Sequence, residues 1–313
     1  MEKTVILLPV FNDWSALERL LEELESLIDP SSYPDHQFLI INDGSFDSAP
    51  PLKTSIPLTV LHLTHNMGHQ KAIAIGLSCI HHHIPCTKVL VMDADGDDRP
   101  QDALKLMTSA KNHKDKIIVG WRTQRQDAFI KKLFYGVYLA LFRLFVGKNI
   151  RFGNFCIIPF QHIKRLVYKG DIWNHLPGGI IKSNLPYTTT YTIKGQRYDG
   201  NSKMSFASLV YHAISAITAF IDVIAIRLLI ASALAIAVSL LALLVIFIIR
   251  ISTDLAIPGW ASGLAASIII IILLSFLIGL FLIFTFMISQ SYRKFIPALH
   301  YKEFIENLEA ISE

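Results

Sequence analysis

Short runs of aliphatic and β-branched residues recur through the first part of the chain, at 4–10, 37–42, 58–63, 87–93 and 116–121. Between most of them the apolar positions change to helical spacing. From Trp14 to Leu27, for example, Leu17, Leu20, Leu21 and Leu24 fall on one face. Strands that alternate with helices predict an α/β fold, a mostly parallel sheet covered on both faces. Ligands of such sheets bind beyond the carboxyl ends of the strands. Three of the predicted ends are polar: Pro9-Val10-Phe11-Asn12-Asp13, Asn42-Asp43-Gly44-Ser45, and Asp93-Ala94-Asp95-Gly96-Asp97-Asp98. Together they predict one cleft along one edge.

The pattern changes in the C-terminal third. The stretches 228–249 and 261–288 hold no charged residue. Each is longer than the roughly 20 residues that a helix needs to cross a bilayer. Pro258-Gly259 reads as the turn between them, and Arg227, Arg250 and Arg293-Lys294 flank the pair. No secretory signal is evident at the N-terminus, so the chain reads as an integral membrane protein with two spans. Its large domain and both termini are expected in the cytoplasm, most simply at a bacterial inner membrane. Two more segments read as helices lying in the lipid interface, at about 128–148 and 204–222. The expected division is a catalytic domain over 1–222, the helical hairpin over 223–290 and a cytoplasmic tail over 291–313.

Composition adds little. A net charge of +4 over 313 residues argues for no nucleic-acid partner. Cys79, Cys86 and Cys156 lack metal-ligand spacing and read as reduced thiols. His81-His82-His83 point about 100° apart on a helix, cannot converge on one ion, and read as a polar helix end. His65 and His69 flank the Asn66–Gly68 turn, where a local structural role is expected.

The acidic run carries the chemistry. In extended geometry Asp93 and Asp95 leave the same face, and two converging carboxylates repel unless a cation lies between them. Oxygen-only ligands suit Mg²⁺ or Mn²⁺, which usually serve a phosphate-bearing substrate. A solvated turn is the alternative, since Asp-Gly is a common turn dipeptide.

Taken in order, Pro9–Asp13, Asn42–Asp47, Asn66-Met67-Gly68-His69-Gln70-Lys71-Ala72 and Asp93-Ala94-Asp95 resemble the signature of family 2 glycosyltransferases. Gly120-Trp121-Arg122, Arg197-Tyr198-Asp199-Gly200-Asn201-Ser202-Lys203 and the C-terminal hairpin resemble the polyprenyl-phosphate branch. That branch includes dolichol-phosphate mannose synthase and the bacterial GtrB- and ArnC-type enzymes. The resemblance implies a GT-A domain that transfers a sugar, with inversion, from a nucleotide sugar to undecaprenyl or dolichyl phosphate. UDP is preferred to GDP as the carrier.

The resemblance also implies roles. Pro9, Phe11 and Asp13 would border the base, and Asp43 would accept hydrogen bonds from it. Asp93, Asp95 and Asp97 would hold Mg²⁺ or Mn²⁺ against the diphosphate, while Arg197 and Lys203 would close over the phosphates. Arg122, or less well Arg125, would meet the lipid phosphate. Asn154 stands where many relatives carry an acidic base. It cannot usefully accept a proton, so it reads as a group that orients an acceptor already anionic. The catalytic set is then Asp95, Asn154 and Arg197. Two alternatives stay open: transfer to a lipid-linked or growing saccharide, and an inert membrane scaffold that partners a flippase. Association into a homo-oligomer is also open.

Overall fold

A computed structural model of the chain describes residues 3–122, 143, 147, 152–198, 220–252, 259–291 and 295–311. These residues belong to two compact units, a sheet domain and a helical hairpin. Most of the two segments expected at the lipid interface lies outside the described residues, as do Arg125 and Lys203.

The sheet domain opens with β1 (Thr4–Val10), α1 (Trp14–Leu27), β2 (His36–Asn42), β3 (Leu58–Leu63), α2 (His69–His83) and β4 (Lys88–Val91). It continues with α3 (Pro100–Asn112), β5 (Ile117–Arg122), β6 (Cys156–Pro159), α4 (Phe160–Val167), α5 (Leu176–Lys182) and β7 (Tyr187–Thr192). The eight-stranded sheet has the order β7-β5-β6-β4-β1-β2-β3-β8, where β8 is Ile305–Ile311. β1 pairs in parallel with both β2 and β4, whereas β6 and β8 run antiparallel to their neighbours. The mixed, mostly parallel α/β architecture expected from the sequence is present.

The helices follow from the hydrophobic pattern. In α1, Trp14, Ala16, Leu17, Leu20, Leu21 and Leu24 are buried and pack with Ile6, Leu8, Phe38 and Ile40 of the central strands. Each buried leucine is worth about 1.5–3 kcal/mol of transfer free energy. α2 is apolar nearly all round, because every residue from Ala72 to Ile80 is buried.

Two features differ from the sequence expectation. The segment expected as a tail supplies β8, which pairs with β3 from Leu58↔Ile311 to Leu63↔Ile305. A sheet edge left with unpaired N–H and C=O groups recruits a strand, even one as polar as this. The histidines ending α2 hold that segment instead of facing only water. His83 Nε2 lies 2.7 Å from the Tyr301 hydroxyl, and the His82 ring stacks on Tyr301 at 5.5 Å.

The hairpin is α6 (Ile221–Ser252) and α7 (Trp260–Ser291). Both are long and apolar enough to cross a membrane, with mean hydropathies of 3.0 and 3.2 over their most apolar windows. Only 11% and 6% of those windows are buried, unlike the core helix of a soluble protein. The helices pack closely at Gly279, where an added Cβ would come within 3.2 Å of Ser232 Oγ. A small residue at such a crossing lets two apolar helices approach.

Candidate active site

Strand order reverses at β1, with β2 and β3 on one side and β4 on the other. The crevice beyond the carboxyl ends at such a reversal is where α/β sheets take ligands. β4 ends at Val91, and the acidic run turns directly above the reversal. Asp97 N–H donates to Asp95 Oδ1 at 2.9 Å, and Asp93 N–H donates to Asp98 Oδ2 at 3.0 Å. An aspartate that caps its own turn in this way fixes the direction of its neighbours.

Four cationic or imidazole groups converge on these carboxylates. Arg197 Nη2 is 2.6 Å from Asp95 Oδ2, and its Nε is 3.7 Å from Asp97 Oδ1. Lys194 Nζ is 3.7 Å from Asp97 Oδ2. Arg122 Nη2 donates to Asp98 Oδ1 at 2.8 Å, and His69 Nε2 lies 3.1 Å from Asp93 Oδ1. Without such partners, this many carboxylates in a poorly solvated cleft would not stay ionised together.

Electrostatics differ from one carboxyl to the next. Burial pushes Asp93 upward, but His69, then Arg122 and Arg197, outweigh it and hold Asp93 below the usual carboxylate range. Burial, reinforced by Asp93, raises Asp95. Asp98 is pushed up to about 7 by burial and then by Asp93, with Arg122 pulling the other way. Burial lowers His69, yet the Asp93 carboxylate and, more weakly, Asp95 and Asp98 carry it above the ordinary imidazole value.

The basic segment before Asp199 is laid along the acidic turn by main-chain bonds. Gly195 N–H donates to Asp97 O at 2.9 Å, and Tyr198 N–H donates to Asp95 O at 3.1 Å. Gly195 is required here because a Cβ would collide with Gly96 O. Tyr198 ties the segment to α1: its hydroxyl donates to Glu23 Oε2 at 2.8 Å, and the Arg19 guanidinium sits 4.6 Å over its ring.

On the β1–β2 side, Phe11 is 37% exposed and meets the 89% exposed Phe46 edge to face at 6.0 Å. Pro9 lies within β1, and Asp13 precedes α1, its carbonyl accepting from Leu17 N–H at 3.1 Å. Asn12 adopts φ 51, a left-handed conformation that asparagine tolerates, and its Oδ1 accepts from Phe46 N–H at 2.9 Å. Asp43 is buried. Its two oxygens accept from Met67 N–H at 2.7 Å and Gly68 N–H at 2.9 Å, which clamps the turn into α2. Asn154, just before β6, accepts on Oδ1 from Gln70 Nε2 at 3.0 Å.

The structure therefore gathers Asp93, Asp95, Asp97, Arg122 and Arg197 in one cluster, with Asn154 joined to it through α2. Arg122 faces Asp98, and Asp43 already takes two backbone donors. His69 sits on Asp93, a departure from the local role expected from sequence. Sequence reasoning also passed over Asp98, Gln70, Lys194 and Tyr198. Asp98 carried a signal in its place in the acidic run, and Gln70 and Tyr198 in the motifs that contain them; Lys194 carried none.

Among the described residues, no three acidic, histidine or cysteine side chains converge at metal-ligand spacing. Asp93 Oδ1 and His69 Nε2 are nonetheless buried without an aligned hydrogen-bond partner, close as they are. The carboxylates of Asp93, Asp95 and Asp97 offer the oxygen donors that suit a hard divalent cation. Arg197 now occupies the cationic place beside Asp95.

The fold is that of the GT-A class of glycosyltransferases. The chain belongs to Glycosyl transferase family 2, whose profile matches residues 5–161. It is 31% identical over 149 residues to a dolichyl-phosphate beta-glucosyltransferase of Trichomonas vaginalis, covering 41% of this chain and 43% of that one. It is 25% identical over 158 residues to the undecaprenyl-phosphate 4-deoxy-4-formamido-L-arabinose transferase of Serratia proteamaculans, covering 48% and 46%. The matched stretch spans less than half the length of either relative. The fold is similar to that of glucosyl-3-phosphoglycerate synthase from Mycobacterium tuberculosis, solved with Mn²⁺, UDP-glucose and phosphoglyceric acid. That likeness has a TM-score of 0.52 at 13% identity, over 71% of this chain and 79% of that one.

Proposed function

We propose that this protein is a membrane-anchored, inverting glycosyltransferase that moves one sugar from a nucleotide diphosphate, UDP before GDP, to polyprenyl phosphate at the cytoplasmic leaflet. The observation that carries the reading is the Asp93–Asp95–Arg197 cluster at the strand reversal of a family 2 chain that also holds two long apolar helices. The two relatives whose names include a polyprenyl phosphate support the acceptor class.

Phe11, with Pro9 and Asp13, borders the base, and Asp43 shapes that wall through the Met67–Gly68 turn. Asp93 and Asp95, with Asp97 alongside, would hold Mg²⁺ or Mn²⁺, which supplies Lewis-acid neutralisation of the leaving diphosphate. Arg197 exchanges Asp95 for phosphate oxygens, which a planar guanidinium can grip two at a time. Lys203 joins it by resemblance. The acceptor phosphate oxygen attacks the anomeric carbon, the carbon–oxygen bond to the diphosphate breaks, and its electron pair stays on the nucleotide. Arg122 and Arg125 are the candidate contacts for the lipid phosphate. The apolar helices keep the enzyme beside its lipid.

The test is incubation of the detergent-solubilised full chain with radiolabelled UDP-sugars and undecaprenyl phosphate, with and without EDTA. Labelled lipid that forms only when metal is present is expected. Label in polymer, or no turnover with any donor, overturns the proposal.

A further inference from the structure

Gln70 lies in the first turn of α2, one residue after His69, and links two elements distant in sequence. Its Oε1 accepts from Leu176 N–H at 2.8 Å, and its Nε2 donates to Asn154 Oδ1 at 3.0 Å. Leu176 is the first residue of α5, and its N–H is one of the donors that a helix start leaves without an intrahelical partner. His175 Nδ1 takes another, from Gly178 N–H at 3.0 Å.

This chain of bonds has only one polarity. A backbone N–H can only donate, so the Gln70 atom facing Leu176 must be its oxygen. The Gln70 atom facing Asn154 is then its NH₂, and the Asn154 atom facing Gln70 must be oxygen. The Asn154 NH₂ is thereby turned away from Gln70. Among the described residues no hydrogen bond takes it, and Asn154 is only partly buried. Asn154 stands at the start of antiparallel β6, on the carboxyl edge between the ends of β5 and β4. Asn154 therefore belongs to the rim that carries Asp93 and Arg122.

We propose that Gln70 is a positioning residue: it fixes the Asn154 amide with its NH₂ presented to the acceptor, which selects acceptors that arrive as phosphate anions. The inference rests on the reading of the site as a polyprenyl-phosphate glycosyltransferase. An amide NH₂ donates to an anionic oxygen but cannot remove a proton from a hydroxyl. A phosphate monoester has a second pKa of about 6 and is largely deprotonated near neutrality, so it needs orientation and no base.

Two near-isosteric variants separate this role from packing. In Gln70→Glu the new carboxylate still accepts from Leu176 N–H but can no longer donate to Asn154. The Asn154 amide turns over, gives its NH₂ to that carboxylate, and shows its oxygen to the acceptor. In Gln70→Met the Leu176 N–H loses its partner, while Asn154 is merely released and can still turn its NH₂ outward. The two variants should therefore rank oppositely in two measurements on the full chain in detergent. Gln70→Met should have the lower Tm. Gln70→Glu should have the higher KM for undecaprenyl phosphate, by about tenfold over wild type, the size of one hydrogen bond to a charged group.

A general effect of the added charge would raise the KM for the nucleotide sugar equally, so the acceptor KM must move alone. If the acceptor KM instead tracks Tm, with Gln70→Met the worse, or if donor and acceptor KM rise together, the positioning role is wrong. If wild type makes no labelled lipid, it is the reading of the site that fails, before the variants are compared.

Discussion

Replacing Arg122 with alanine strands a buried carboxyl. Asp98 is 3% exposed, and its two oxygens accept from Arg122 Nη2 and from Asp93 N–H. Removing one partner of a buried ion pair costs about 3–5 kcal/mol when the abandoned charge persists. Here it need not persist. Burial and Asp93 already push Asp98 up to about 7 against the pull of Arg122, so near neutrality a proton can take the place of the guanidinium. The loss at neutral pH is then that of one charge-assisted hydrogen bond, about 2 kcal/mol. The pH dependence has a definite sign. A carboxyl whose folded pKa lies above its unfolded value lends most stability when protonated and loses it as pH rises toward the folded pKa. Without Arg122 that pKa climbs further, so the variant goes on losing stability above about 7, where wild type has levelled off. Thermal unfolding of the full chain in detergent and EDTA, at pH values about one unit either side of 7, should show the larger Tm depression on the alkaline side. Equal depression at both, or none, would refute the argument.

Three further outcomes are expected. Asp43→Asn turns an NH₂ onto the Met67 or Gly68 N–H, which should destabilise the domain by about 1–3 kcal/mol in chemical unfolding and weaken nucleotide binding. Gly195→Ala drives a Cβ against Gly96 O; isothermal titration with UDP and Mn²⁺ should show weaker binding, with about 1–3 kcal/mol of strain or displacement. Tyr198→Phe removes the bond to Glu23 but keeps the ring under Arg19, so about 1 kcal/mol of stability should go while turnover survives; abolished turnover would mean that the hydroxyl acts in the reaction.

The elements read from sequence share one property: they bury apolar residues at a regular period. β1 is buried at every position, and α1 falls at Trp14–Leu27 as its leucine spacing requires. β6, β7 and β8 lack that signal. β6 is four residues ending in proline, β7 is a run of threonines and tyrosines, and β8 interleaves glutamates with its apolar positions. Their strand state comes from hydrogen-bonding partners that only the tertiary fold supplies. The site divides in the same way. Asp93 and Asp95 were legible because paired carboxylates at a strand end imply metal and phosphate chemistry, and Arg197 because its segment resembles the family's basic loop. The pairings of Asp98 with Arg122 and of Gln70 with Asn154 were not legible, because each joins residues far apart in sequence.

The antiparallel strand closing the sheet beside β3 is contributed about 250 residues after its partner, and contacts of such separation form slowly. Both long apolar helices are synthesised in between. During synthesis the β3 edge therefore stays open until the hairpin has emerged. A chain stalled at that point presents a free strand edge and two greasy helices at once, the combination that quality-control machinery is best placed to recognise.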